Sequence, residues 1–217
     1  MMSNKTLDVD DALLNYILSA GVNESDIAFR LREETSKLEM SRMQIAPEQG
    51  AFMAFIAKLL CVENYLEIGV FTGYSMLSVV SAMGENARAV GCDVSYEWTD
   101  IAQKYWQEAG ISKSIDLQIA PAIETLKTLQ ESSFDLAFID ADKESYDSYY
   151  ESCLKLLKPG ALLMIDNIFW GGAVADEGIN DMETLAIRKL NSKIMSDTRV
   201  DASMLSIGDG IMMVRKR

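Results

Sequence analysis

"YLEIGVFTGYS" (residues 65–75) reads as a strand, a tight turn and the start of a helix. The run is apolar to Ile68 apart from Glu67, Gly69 and Gly73 mark the turn, and Tyr74 or Ser75 opens a helical stretch, "YSMLSVVSAM". The same rhythm recurs downstream. "NYLEI" (64–68), "ARAVGCD" (87–93), "SIDLQIA" (114–120), "FDLAFID" (134–140) and "ALLMID" (161–166) have strand character. Helical stretches such as "WTDIAQKYWQEAG", "AIETLKTLQE" and "YDSYYESCLKLLKPG" separate them. Near-continuous apolar strands alternating with helices predict a parallel sheet covered on both faces. "VDASMLSIGDGIMMVRKR" reads as two further strands joined around Gly208 and Gly210, an antiparallel hairpin. Upstream the spacing is helical: Leu13, Leu14, Ile17 and Leu18 share one face, a charged segment "SDIAFRLREETSKLE" follows, and a third helix starts near Pro47. The expectation is one doubly wound α/β domain over residues 1–217, with a helical N-terminal extension (1–60) and an α/β core (61–217).

Composition narrows the function. A chain of 217 residues fits one domain and can bury roughly 70% of its unfolded surface. With 20 basic against 33 acidic residues the net charge is −13, a field that repels nucleic-acid backbones. Nucleic-acid partners are therefore not expected, although a local basic pocket for an anionic small molecule stays open. Cys61, Cys92 and Cys153 are scattered and lack a CxxC pair, as expected of reduced, buried thiols in a cytoplasmic protein. No signal peptide is read at the N-terminus, and the most apolar stretch, "AFMAFIAKLLCV", is too short to span a bilayer and carries Lys58. The chain has no histidine, which removes Ser-His and Cys-His nucleophilic sites and HExxH metalloproteases together. Proton transfer falls to Lys, Asp, Glu, Tyr, Cys or a metal-bound water.

The turn after the first strand can be a plain strand-to-helix connection that binds nothing. Its glycines also permit close approach of a ligand to the backbone and to the helix N-terminus. The spacing is G-x-x-x-G, neither the dinucleotide fingerprint nor a Walker motif. Glu67 is a charge near a strand end where an apolar residue is usual. Asp93 ends the second strand 20 positions beyond Gly73, where a carboxylate can hydrogen-bond a ribose. Together Glu67 for an amine or an ordered water, Gly69 for close approach and Asp93 for a ribose describe S-adenosylmethionine. NAD lacks the amine.

Successive parallel strands end at one edge of a sheet, where ligands bind. Asp140 ends the fourth strand and Asp166 the fifth, with Asn167 beside it. Two carboxylates and an amide oxygen make an all-oxygen set suited to a hard cation, Mg²⁺ first, then Ca²⁺ or Mn²⁺. Each aspartate could instead cap the following helix. Lys143, three residues past Asp140, is either a surface lysine or a base made accessible by the cation and a dry cleft. Asp142 and Glu144 read as charges that cap or solvate a helix start.

These motifs together resemble the metal-dependent class I O-methyltransferases of the caffeoyl-CoA and catechol type. The resemblance runs through "MQIAPEQGAF", "LEIGVFTGYS", "GCDVS", "FIDADKESYDSYY", "LLKPGALLMIDNIFWGG" and "IGDGIMMVRKR", about residues 40–217. It implies a seven-stranded sheet of order 3-2-1-4-5-7-6 with the last strand antiparallel. It implies that Glu67, Gly69, Ser75 and Asp93 bind S-adenosylmethionine, with backbone near Ile45 and Ala122 completing the pocket. Asp140, Asp166 and Asn167 would hold the metal, and Asp140 would also lie near the methionine moiety. Lys143 would be the base, and Trp170 would shape the pocket for a phenolic substrate. The family places dimer contacts in the N-terminal helices, so a homodimer is expected. Ala120 stands in "IAPAIE" where many members have glycine.

The expected activity is methyl transfer to a hydroxyl of a catechol-like small molecule. A non-catalytic, dimeric cofactor-binding module and an NAD-dependent dehydrogenase are the alternatives. The first has no use for a metal-ligand set, and the second lacks its glycine fingerprint.

Overall fold

The computed structural model describes residues 7–217, so the first six residues of the anticipated extension lie outside it. The remainder of that extension forms three helices, α1 (Asp11–Gly21), α2 (Asp26–Thr35) and α3 (Pro47–Leu59). Their starts are chemically marked. Asp10 accepts from the Leu13 N–H at 2.8 Å and Ser25 from the Ala28 N–H at 3.2 Å, while α3 opens with Pro47 and Glu48 in its first turn. A short 3₁₀ turn, Ser41–Met43, sits between α2 and α3.

The core alternates as expected: β1 (Asn64–Ile68), α4 (Tyr74–Val80), β2 (Arg88–Asp93), α5 (Tyr96–Glu108), β3 (Ile115–Ile119), α6 (Ala122–Leu126), β4 (Phe134–Ile139), α7 (Tyr146–Leu156) and β5 (Leu157–Ile165). Then come α8 (Met182–Ser196), β6 (Val200–Leu205) and β7 (Ile211–Lys216). The seven strands form one sheet of order β3-β2-β1-β4-β5-β7-β6. The first five strands pair in parallel, while β7 runs antiparallel to both β5 and β6. This is the order that the resemblance implied.

Alternation explains why the strands read as continuous apolar runs. Leu66, Ala137, Ile139, Leu163 and Ile165 pack on the side of α6, α7 and α8. Their neighbours Tyr65, Leu136, Phe138 and Met164 pack on the side of α3, α4 and α5. Both sheet faces are therefore core, and each such side chain contributes about 1.5–3 kcal/mol by leaving water.

Some anticipated boundaries move. The stretch through Gly160 was expected to be helical, but α7 stops at Leu156 and β5 begins at Leu157, which pairs with Phe134. The register shifts between Phe134 and Leu136 opposite Pro159, which has no N–H to give a ladder. Helices α4 and α6 are also shorter than "YSMLSVVSAM" and "AIETLKTLQE" suggested. Cys92 and Cys153 are buried free thiols, whereas Cys61 is exposed, contrary to expectation, in the turn that follows α3. No helix among the described residues is long and apolar enough to cross a membrane.

Gly69 ties the strand ends together. It has φ +90°, and a β-carbon there would lie 1.9 Å from the Asp140 carbonyl oxygen. Gly110 also has positive φ, at +75°, but a β-carbon on it would meet open space. Gly110→Ala should therefore cost only the backbone term, about 1 kcal/mol. Gly69→Ala should cost at least about 3 kcal/mol, since the obstruction is backbone and cannot swing aside. Denaturant unfolding of the two variants checks this, and equal losses would mean that the strand ends separate freely.

Candidate active site

The parallel strands end around a cleft of about 1270 Å³. One wall is the turn between β1 and α4. Here Asp93, at the end of β2, accepts Val70 and Phe71 N–H groups on Oδ2 at 3.0 and 2.8 Å, and Val94 and Ser95 N–H groups on Oδ1 at 2.7 and 2.9 Å. Its carboxylate thus shapes the glycine turn as well as facing the cleft. Gly73 is forced to be glycine by Ala102 and Trp106, which a β-carbon would approach to 2.6 and 2.8 Å. The glycines serve close packing of the protein on itself, which is a firmer reason for them than ligand approach.

Ser75 lines the cleft, and Glu67 sits behind it. Glu67 is fully buried, accepting from the Tyr65 hydroxyl at 2.6 Å and from the Ser75 hydroxyl at 2.7 Å, and it is not itself part of the cleft wall. Burial pushes its carboxyl up to about 8 against the opposing pull of those two hydrogen bonds, with Asp140 and Asp93 adding to the rise. Burial thus favours the protonated form of Glu67. Any contact with a cofactor amine would run through Ser75.

The opposite end is the acidic one. Lys143 is buried, and its Nζ donates to Asp140 Oδ1 at 3.0 Å, to Asn167 Oδ1 at 2.6 Å and to the Tyr146 hydroxyl at 2.7 Å. Tyr146 in turn donates to the Asp166 carbonyl at 3.3 Å, so its lone pairs face the lysine. Asp166 is also buried, with Oδ2 accepting from Gln49 Nε2 at 2.8 Å and Oδ1 from the Asn167 N–H at 2.7 Å. Burial, then the neighbouring Asp140 charge, raises the Asp166 pKa above the ordinary carboxylate range. Lys143 also lies over the Trp170 ring, 5.5 Å from its centroid. Phe71, Asn167 and Trp170, all on the cleft wall, have positive φ of +50°, +55° and +50°. Asparagine tolerates that region, whereas the two aromatic residues are strained in it.

A hard cation fits this end. Asp140 and Asn167 already turn one oxygen each toward a single positive group, the Lys143 ammonium, and Asp166 brings a second carboxylate that burial makes costly to ionise alone. The donors are two carboxylates and an amide. No cluster of three or more His, Cys, Asp or Glu side chains arranged for a metal occurs among the described residues.

The O-methyltransferase family pattern matches residues 18–217. The chain belongs to the O-methyltransferase family. It is 41% identical over 213 residues to "Probable caffeoyl-CoA O-methyltransferase 2" of Dictyostelium discoideum, covering 95% of this chain and 92% of that protein. It is 34% identical to the mouse "Catechol O-methyltransferase domain-containing protein 1", covering 95% of this chain and 80% of that protein. In three dimensions it is similar to an O-methyltransferase from Bacillus cereus in complex with SAH, with a TM-score of 0.87, 26% identity, and 95% and 97% of the two chains covered. The O-methyltransferase TomG of Streptomyces achromogenes, in complex with SAM, also gives a TM-score of 0.87, at 25% identity over 94% of this chain and 96% of that one.

In this O-methyltransferase the anticipated residues gather in one place. Ile45, Gly69, Asp93 and Ala122 line the cleft, and so do Asp140, Lys143, Asp166, Asn167 and Trp170. Only Glu67 is set back. Asp142 does not cap its helix turn: it lines the cleft and accepts from the Tyr149 hydroxyl at 2.6 Å. Sequence reading missed Gln49, Tyr146 and Asp209, whose Oδ1 accepts from the Gly171 N–H at 2.8 Å. Gln49 sits in the quoted "PEQG" stretch, yet its partner lies 117 residues away, so only the fold reveals it.

The raised pKa of Glu67 implies a pH signature. Its folded pKa, near 8, lies above the unfolded value near 4.5, so the two states differ between those limits. Across that window the unfolded chain loses its proton first, and stability falls as pH rises, by up to about 1.4 kcal/mol per pH unit. Glu67→Gln removes the titration, so its melting temperature should gain on wild type from pH 5 to 8 and hold that gain above. Parallel melting curves for the two proteins across this range would refute a neutral Glu67.

Proposed function

We propose that this O-methyltransferase transfers a methyl group from S-adenosylmethionine to one hydroxyl of a vicinal dihydroxyphenyl small molecule, with a divalent cation held by Asp140, Asp166 and Asn167. The observation that carries the reading is the buried Lys143, fixed by Asp140, Asn167 and Tyr146 beside the Trp170 ring. Three acceptors satisfy its buried N–H groups, and its place on the cleft wall puts the nitrogen where a substrate hydroxyl can meet it. The SAM and SAH complexes of the related enzymes support the methyl donor.

S-adenosylmethionine supplies the methyl group on a positively charged sulfur, open to in-line displacement by a substrate oxygen. The cation, Mg²⁺ by preference, supplies the charge that brings a phenol down from its pKa of about 10 toward neutrality. The rest is done by side chains. Lys143 Nζ is the group placed to take the hydroxyl proton, and Tyr146 and Asn167 hold that nitrogen in place. Trp170 offers an aromatic wall to the ring. Asp93 takes the ribose, Ser75, backed by Glu67, the amino-acid end, and Ile45 and Ala122 flank the rest of the donor. Gln49 keeps Asp166 aimed into the cleft. We further propose a cytoplasmic homodimer, in keeping with the exposed Tyr16, Phe55 and Leu59 on α1 and α3.

Methyl transfer to a catechol panel should vanish in EDTA and return with Mg²⁺; undiminished turnover in EDTA would sink the metal assignment. Asp140→Ala should lose the thermal shift that Mg²⁺ induces. Lys143→Ala should retain stabilisation by S-adenosylmethionine while turnover falls at least about 100-fold. Full activity in that variant would remove Lys143 as the base.

A further inference from the structure

Arg42 differs from every other arginine in the chain. Arg30, Arg32, Arg199, Arg215 and Arg217 pair with carboxylates, and Arg88 and Arg188 donate to backbone carbonyls. Among the described residues, Arg42 has neither a salt bridge nor a hydrogen-bond partner, in a chain where acids outnumber bases 33 to 20. Solvent satisfies an exposed guanidinium, so lack of a partner alone means little. Its position is what matters. Arg42 lies on the 3₁₀ turn Ser41–Met43 and lines the same cleft as Lys143 and Trp170, with Met40 and Met43 on either side. Arg42 and Lys143 are the cationic side chains of that wall among the described residues, and the charge of Lys143 is already committed to Asp140.

We propose that Arg42 is a specificity residue that pairs with an anionic group on the side chain of the phenolic acceptor, so that the preferred acceptor is an acidic catechol, carrying carboxylate or phosphate, and not a neutral or amine-bearing one. The inference rests on the catechol reading above and deepens it. A guanidinium forks onto carboxylate or phosphate through two parallel hydrogen bonds, which makes it selective as well as attractive. The flanking thioethers suit the apolar linker between ring and anion, because methionine adapts to irregular shapes. The two cations then divide the acceptor: Lys143 serves the reacting hydroxyl and Arg42 the distal charge.

The competing feature is Glu183, an exposed acid on the cleft wall that could hold an amine. Glu183 already has a structural reason to be acidic, in the first turn of α8 where the helix dipole favours a negative charge. Arg42 has no such reason on a three-residue turn. The carboxylates deeper in the cleft are engaged too: Asp93 by backbone N–H groups, Asp142 by Tyr149 and Asp166 by Gln49. Arg42 is thus the cation of this wall that no side chain among the described residues answers.

The test compares wild type, Arg42→Ala and Arg42→Lys on 3,4-dihydroxycinnamate, its CoA thioester, its methyl ester and 3,4-dihydroxyphenylethylamine. Arg42→Ala should raise KM about tenfold for an anionic acceptor while kcat holds and the methyl ester is unaffected, and Arg42→Lys should restore part of the loss. A loss confined to the free acid identifies a carboxylate as the partner, and one confined to the thioester identifies a carrier phosphate; both support the proposal. Equal losses on acid and ester, no loss on either anion, or weaker S-adenosylmethionine binding in Arg42→Ala would overturn it. Acceptor binding is also followed by quenching of the cleft tryptophans Trp98 and Trp170. Should wild type turn over none of the four compounds, the catechol reading fails by itself. The acid-against-ester quenching difference between wild type and Arg42→Ala then decides the role of Arg42: present, the role stands; absent, it falls.

Discussion

The backbones of β1 and β4 meet at their carboxyl ends, and the rest of the site depends on that meeting. Asp140 N–H donates to the Ile68 carbonyl at 2.8 Å, and one step across the sheet Asp166 N–H donates to the Ile139 carbonyl at 3.0 Å. Three strands therefore finish level with one another. The contact tolerates nothing larger than hydrogen on Gly69. Because the strands finish together, two carboxylates that are distant in sequence share one crevice, and the helix turn after β4 brings Lys143 back over them. The parallel sheet is what converts apolar runs ending in aspartate into a chemical site.

Charge is managed differently at the two ends of the cleft. At the β1 end burial wins, and the Glu67 pKa rises because two hydroxyl donors do not offset the loss of water. At the β4–β5 end the acids are held beside a buried ammonium. Their mutual repulsion is answered by Lys143 and remains only partly answered at Asp166. An arrangement of that kind costs folding energy and is retained where it serves chemistry.

Much of this was legible in the sequence, and the reasons for the exceptions are local. A strand buried on both faces leaves a continuous apolar run, so β1, β4 and the core of β5 could be read directly, and the acids closing them marked the site. The first residues of β5 could not, because Leu157–Gly160 contain a proline and a glycine that resemble a helix end, while their strand character comes from Phe134 across the sheet. Gln49, Tyr146 and Asp209 carry no local signal, since each acquires its role from partners brought by other elements. Glu67 was singled out correctly as an anomaly, but whether it faced the cleft or lay behind Ser75 depended on packing that no spacing encodes. Asp142, read as capping or solvating a helix start, is tied to Tyr149 instead.

The left-handed backbone at Phe71 and Trp170 has an evolutionary side. Strain of this kind is a standing debt of roughly 1–3 kcal/mol per residue, carried by the well-packed sheet beneath. Descendants selected for heat tolerance alone would find their easiest gains at these positions, by exchanging the aromatic residues for glycine or asparagine. Each such gain would strip an aromatic side chain from the cleft wall. Robustness and the shape of the cleft therefore compete for the same few residues.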